Sequence, residues 1–461
     1  MKAKKLIAIT LILTVIFCFP FVCASAADYS VTNVTEIQKH ISGIIRLSEA
    51  KQNEYDFNND GLLSIADSTY LQKILTDIDP TETAINVLDF GAVGDGITDD
   101  TAAFKRCIKA ANGEPVLIPS GTYVVNHCSF SENESGYPVN LIGTGNPIIK
   151  RTKTDDATPS ESKSRSMFLF RDVPYAEITG ITFDSCRDDF IYDSTGEWLG
   201  TAILYFFGNT SNINIHDCNF KNCSREAVYV KGSFNNFVMR NNTFKNISAH
   251  FWNKGGNAEN FIYENNISEN GRTKGIEFDT EDGYKSSDIR ICNNKFINLC
   301  SYGVLLQNCE NVIIENNYYS MATELNPHAA GRQDNLSQYF VYMGCTSNKN
   351  SCKNINIINN YGNAKRVLSI QKTSDIDAAE TDRMFTDITV SDNNFSVENI
   401  YVYACHTSNL VVRNCSGKSD GDFLYLINSN NVSALDNDIT AVNFFRGNCS
   451  DFSAIGKSCK I

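Results

Sequence analysis

From about residue 200 onward the chain alternates apolar and polar residues in short runs. In Ala227-Val228-Tyr229-Val230-Lys231 and Gly275-Ile276-Glu277-Phe278-Asp279 every second residue is apolar, the period of a strand with one buried face. Val228, Val230, Ile276 and Phe278 are therefore core positions, and the residues between them face outward. Just before such runs lie Asn-Asn pairs at 241–242, 265–266, 293–294, 316–317 and 359–360. One aligned position runs Cys218, Asn242, Asn266, Asn294, Asn317, Asn360, Asn393, Cys415, Asn437, at spacings of 24, 24, 28, 23, 43, 33, 22 and 22 residues. A coil of three short strands needs about this length, and self-similarity at this period belongs to solenoids. Stacked asparagines can bond side chain to backbone, and asparagine tolerates the left-handed bend. This ladder reads as structural.

Helical spacing appears in two other places. Phe104, Ile108 and Ala111 form one apolar face behind a cap at Thr98 or Asp99, a helix suited to covering the open end of a coil. The acidic residues beside it, Asp95, Asp99 and Asp100, read as turn and cap residues. Near the start, Val34–Ile41 and Ser68–Leu75 each suggest a helix. Between them lies Asp56-Phe-Asn58-Asn-Asp60-Gly61-Leu62-Leu-Ser64-Ile-Ala-Asp67. This is the spacing of a calcium loop, with oxygen ligands from Asp56, Asn58, Asp60, the Leu62 carbonyl, Ser64 and Asp67, and Gly61 at the sharp turn.

The first residues are a processing signal. Lys2, Lys4 and Lys5 precede an apolar run from Leu6 to Val22, and Ala24-Ser25-Ala26 offers a cleavage point after Ala26. No later apolar stretch is long enough for a membrane span. The formal net charge of −13 argues against nucleic acid and anionic membranes as partners. Fourteen of the sixteen cysteines follow the signal, without CxxC pairs, and several recur at equivalent repeat positions, as small apolar core residues would.

Two resemblances follow. The loop ending in Asp and the helix after it resemble a dockerin, whose second loop-helix unit is matched at Val34–Ile41, with Asn33 aligned to Asp67. The first loop has lost its acidic positions, so one calcium is expected. The resemblance implies a cohesin-bearing scaffold as partner, with Ile65, Ala66 and the paired helices as contact face. Asn86-Val-Leu-Asp89-Phe90-Gly91 through Thr98-Asp99-Asp100, continued to Val116-Leu-Ile-Pro119-Ser-Gly121-Thr-Tyr123, resembles the entrance of pectate-lyase-like β-helices, which include rhamnogalacturonases and epimerases. The expected fold class is all-β: a right-handed parallel β-helix with an N-terminal helical, EF-hand-like dockerin module. The expected organisation is signal 1–26, dockerin-like module 28–78, linker 79–84 and β-helix 85–461.

Turn by turn, the outward face reads Leu204/Phe206, Tyr229/Lys231, Trp252/Lys254, Glu277/Asp279 and Leu305/Gln307. Aromatic rings stack on sugars, lysines neutralise uronates, and a carboxylate pair serves acid/base hydrolysis. The candidate catalytic residues are Glu277, Asp279, Lys254, Lys231 and His250. Tyr229, Trp252, Arg225 and Asp282 are candidate substrate-binding residues. A lyase would use Lys231, Lys254 or His250 as base, and a second, catalytic calcium held by Glu277, Asp279 and Asp282. Longer coils at about 184–200, 320–338 and 371–385 add Asp184, Arg187, Asp188, Asp189, Trp198, His328 and Arg332 near a binding face. The Gly-His-Gly and Arg-x-Lys elements of polygalacturonases are missing, which disfavours that chemistry. The expected function is a secreted, cellulosome-type enzyme on plant cell-wall polysaccharide, extracellular or in a cell-surface assembly. Lyase and hydrolase both stay open, and the alternative is a non-catalytic glycan-binding or adhesion protein.

Overall fold

The computed structural model describes residues 31–41, 45–56, 63, 67–68, 71–72, 84–130, 136–152, 166–186, 191–192, 198–199, 202–271, 273–323, 337–345, 351–372 and 384–456. The chain forms two compact units, Met1–Asp79 and Pro80–Ile461.

In the first unit, helix α1 (Val31–Ile41) precedes the short helix α2 (Glu49–Glu54), whose N-cap Ser48 accepts from the backbone N–H of Lys51. Asp67–Ser68 and Leu71–Gln72 are helical. Val34, Ile37, Tyr55 and Leu71 share one small core, with Leu47 and Leu63 packed on it. The Tyr55 hydroxyl donates to Glu36 at 2.7 Å, and the Lys51 ammonium reaches the same carboxylate at 2.9 Å. Of the expected calcium ligands, Asp56 and Asp67 are described, while Asn58, Asp60, Leu62 and Ser64 lie outside the described residues, as does the expected leader.

The second unit is a parallel β-helix. Strand follows strand around the coil, and each pairs in parallel with its equivalents one coil away. Ala258–Glu264, for example, lies in register between Phe234–Arg240 and Ser286–Cys292. One apolar core runs from Val87 to Ala441, lined by the residues that alternation points inward. The entrance is covered as the helical spacing requires. Helix α3 (Thr101–Ala111) buries Ala103, Phe104, Cys107, Ile108 and Ala111. Its cap differs in detail from the expected one. Asp100 is the N-cap residue, but its carboxylate turns back to accept from Val93 N–H at 2.7 Å, while Asp99 accepts from Thr101 N–H at 2.9 Å. Asp95 accepts from Ile97 and Thr98 at 2.8 and 2.7 Å. Asp95, Asp99 and Asp100 thus serve turn and cap.

The asparagine ladder divides its work between the two members of each pair. Asn241, Asn265, Asn293, Asn316 and Asn359 take positive φ and make the bend. The following asparagine is buried, and its Oδ1 accepts from the backbone N–H of its equivalent one coil earlier. These bonds measure 2.9 Å at Asn242–Asn266, Asn266–Asn294, Asn294–Asn317 and Asn317–Asn360. Its Nδ2 donates to a carbonyl of the earlier coil, as Asn294 does to Tyr263 at 2.9 Å. Each buried amide is thereby satisfied, which is what permits it in an apolar coil.

Candidate functional site

One outward-facing position is repeated in register on eleven successive coils: Leu169, Tyr205, Tyr229, Trp252, Glu277, Leu305, Tyr342, Ser369, Tyr403, Tyr425 and Arg446. Two residues on, a second column carries Arg171, Phe207, Lys231, Lys254, Asp279, Gln307, Gly344 and Gln371. Parallel pairing sets adjacent members of a column about 4.8 Å apart. The face is therefore a continuous strip along the coil.

Tyr229, Lys231, Trp252, Lys254, Glu277 and Asp279 stand on this strip as alternation expects. Leu204 and Phe206 do not. Both are fully buried, and Tyr205 and Phe207 face outward instead. The run Ala202–Phe207 is apolar throughout, so no polar residue marks its phase. His250 is also absent from the strip. It lies in the core between the rings of Phe244 and Phe296, at 4.8 and 6.2 Å, with Nε2 bonded to Ser268 at 2.8 Å. Burial lowers its pKa to about 3, so it is a neutral core residue rather than a base facing substrate. Asp282 sits in the exposed turn after the strand Lys274–Thr280, off the strip. Arg225 lies at the strip's edge, against Glu226 at 3.2 Å.

The centre of the strip is an aromatic platform followed by charge. Tyr205, Tyr229 and Trp252 pack in sequence as tilted ring pairs with centroids 4.8 and 5.1 Å apart. Lys254 and Lys274 place their ammonium groups 5.3 and 5.9 Å from the Trp252 ring. Lys274 then bonds Glu277 at 2.6 Å, and Lys254 pairs with Asp279 at 3.4 Å. Glu277 is only 5% exposed. Burial pushes its pKa up, Lys274 opposes this, and Asp279 and Glu226 push it up again, leaving it above the ordinary carboxylate value. Desolvation likewise lifts the Tyr205 phenol to about 12. A buried carboxyl with a raised pKa beside a more exposed carboxylate is the kind of pairing that acid/base hydrolysis uses.

Sequence reasoning missed the second half of the strip. Tyr302 and Tyr342 stack at 4.7 Å, and Arg366 lies between Tyr339 and Tyr403. The signal was present as single tyrosines between core residues, in Val341-Tyr342-Met343, Val402-Tyr403-Ala404 and Leu424-Tyr425-Leu426. Of the longer coils, Asp184 pairs with Lys221 at 3.2 Å, and Ile191–Tyr192 pairs antiparallel with Trp198–Leu199. Arg187, Asp188, Asp189, His328 and Arg332 lie outside the described residues. No helix among the described residues is long and apolar enough to cross a membrane.

Residues 84–305 match the family described as rhamnogalacturonase A/epimerase, pectate lyase-like. The chain is similar to plasmin and fibronectin-binding protein A of Streptococcus pneumoniae, 29% identical over 156 residues, which are 31% of this chain and 21% of that protein. It is also similar to polygalacturonase ADPG1 of Arabidopsis thaliana, 36% identical over 107 residues, 22% of this chain and 25% of that protein. The matched segments thus span between 21% and 25% of these relatives' lengths. The crystal structure of PfbA, a surface adhesin of S. pneumoniae, superposes with a TM-score of 0.54 at 18% identity, covering 80% of this chain and 93% of that one. At that identity the likeness is one of fold.

Proposed function

On a pectate-lyase-like β-helix, we propose an exported enzyme that cleaves cell-wall polysaccharide along the strip centred on Trp252, Glu277 and Asp279. The observation that carries this reading is Glu277: a buried carboxyl with a raised pKa, set between an aromatic platform and a second carboxylate. In hydrolysis Glu277 donates its proton to the leaving sugar oxygen, and Asp279 acts as base or nucleophile on the other side of the bond. Tyr229 and Trp252 take the sugar faces, and Arg225, paired with Glu226, contacts substrate at the edge. In the eliminative variant Lys254 or Lys231 removes the proton beside a uronate carboxylate as the glycosidic bond breaks and its oxygen leaves, and Asp279 would help hold a calcium whose charge would neutralise that carboxylate. In the first unit, Asp56, Asn58, Asp60, the Leu62 carbonyl, Ser64 and Asp67 would hold one calcium in a dockerin-like loop that would dock on a cohesin-bearing scaffold. The loop's oxygen spacing supports this. The setting is extracellular or cell-surface, as the leader-like N-terminus and the adhesin and cell-wall-enzyme relatives suggest.

A second reading has its own support. Both lysines and both carboxylates at the centre are already paired with each other, and the streptococcal relative is named for binding plasmin and fibronectin. In that case the strip grips a glycan or host protein without cutting it.

The test is incubation of the full chain with pectins, xylans and glucans, following reducing ends and the absorbance of unsaturated uronides together. Glu277→Gln should lower kcat by roughly 10²–10⁴-fold while the protein still binds polymer. With Glu277 as the acid, activity should fall as pH rises through its raised pKa. Polymer binding with no product under any condition would hand the case to the binding protein.

A further inference from the structure

Cys309 opens the strand Cys309–Glu315, and Cys352 opens its equivalent one coil on, Cys352–Ile358. The two strands pair in parallel, with Glu310 beside Lys353 and Val312 beside Ile355, so the two cysteines stand side by side in register. Pairing at about 4.8 Å puts their Cα atoms within the range of roughly 4.4–6.8 Å that a disulfide spans. Both side chains lie in the core, 1% and 0% exposed, and their thiols are hydrogen-bonded to each other. Each also meets a backbone carbonyl, Cys309 Sγ that of Gln307 at 3.3 Å and Cys352 Sγ that of Leu306 at 3.9 Å. Other cysteines of the coil face different residues across the ladder: Cys223 faces Ile247, Cys292 faces Glu264 and Glu315, and Cys405 faces Ile427.

We propose that Cys309 and Cys352 form a disulfide that staples these two coils together. The oxidant is an external disulfide, of the class carried by thiol oxidoreductases and by oxidised glutathione. One cysteine loses its proton and its sulfur attacks a sulfur of the oxidant, whose S–S bond breaks. The second cysteine then loses its proton and displaces the remaining oxidant sulfur, which leaves the Sγ–Sγ bond between the coils. Two electrons and two protons pass from the protein to the oxidant, which departs as thiols. Because both sulfurs are sealed in the core, the exchange takes place before this coil closes during folding, and the finished bond is shielded from reductants. The extracellular setting proposed above is one in which such a bond persists. The crosslink encloses 43 residues, the longest interval of the ladder, where closing the coil costs the most chain entropy. It also lies at the seam of the strip, where Leu305 of the charged half is paired with Tyr342 of the tyrosine-rich half.

The test is to refold the full chain with oxidised and reduced glutathione, alkylate it in denaturant with iodoacetamide without reduction, and map the peptides by mass. The expected product is a Cys309–Cys352 linked peptide, lighter than its thiol halves by the hydrogens lost and split by a reductant. The linked chain should melt about 3–8 °C above the same chain refolded under reductant. Cys309→Ala and Cys352→Ala should each abolish that difference. Comparing each variant with itself, oxidised against reduced, removes the packing cost of alanine, and the peptide map of the wild type decides even where a variant does not fold. Both cysteines alkylated after oxidative refolding, or either one linked elsewhere, overturns the proposal. So does a melting difference that persists in both variants, or equal melting of linked and reduced wild type. The readout needs no substrate, so the loss of the enzyme reading would leave it standing.

Discussion

His216 lies between two carboxylates on a different face of the coil. Its Nε2 meets Glu177 at 2.5 Å, its Nδ1 meets Asp217 at 2.6 Å, and its side chain is 16% exposed. Burial alone would lower its pKa, but the bonds and charge of Glu177, and then Asp217, outweigh it and raise the pKa above the ordinary 6.5. The folded state therefore holds this proton more tightly than the unfolded chain. The stabilisation is full below about pH 6.5 and is lost as pH rises through the folded value. Melting temperature should fall across that window in the wild type and change less in His216→Gln; identical profiles would show that the cluster contributes nothing. Legibility from sequence also varied at this scale. Tyr229, Trp252, Glu277 and Asp279 could be placed because polar or amphipathic residues alternate with apolar ones around them. Leu204 and Phe206 could not, since a run without polar residues has no readable phase. His250 was misplaced because a histidine met by Ser268 and two rings can be buried, and its hydrogen-bond partner Ser268 lies 18 positions away, on the next coil.

At the scale of elements, the ladder asparagines do what a hydrophobic residue cannot: each completes backbone bonds where the coil bends inside an apolar interior. Asn294→Ala would leave the Asn266 N–H and the Tyr263 carbonyl without partners. The expected loss is about 2–4 kcal/mol, read as a lower urea midpoint at unchanged slope. A loss under about 1 kcal/mol would mean that solvent or rearranged backbone replaces the ladder. Cys218 and Cys415 fill ladder positions, donating their backbone N–H groups to Asn242 and Asn437 at 3.0 Å each. Their recurrence in the repeat is thus explained by small size and an available N–H. Among the described residues, twelve cysteines are free thiols, and most of these are buried.

At the scale of the whole molecule, the two units own separate cores, one of a few residues around Tyr55 and one running the length of the coil. The calcium proposed for the loop of the first unit is therefore expected to act on that unit alone. Chelation is expected to lower that unit's thermal transition and leave the β-helix transition in place, as calorimetry of the full chain would show. A β-helix transition that moves with chelation would put structural calcium in the second unit, and no response at all would remove the ion from the loop. The solenoid, its capped entrance and the composition of its central strip were determined by sequence, because coil length, period-2 alternation and helical spacing are local and repeat down the chain. The tertiary structure alone decided which residues become neighbours between coils. Coils of 22 to 43 residues set Lys254 against Asp279 and Arg366 between Tyr339 and Tyr403, and stacking at about 4.8 Å turns distant sequence positions into one surface. Charge pairing, burial of Glu277 and the ring-held guanidinium follow from that stacking, because desolvation and Coulomb energy depend on distance in space and not along the chain.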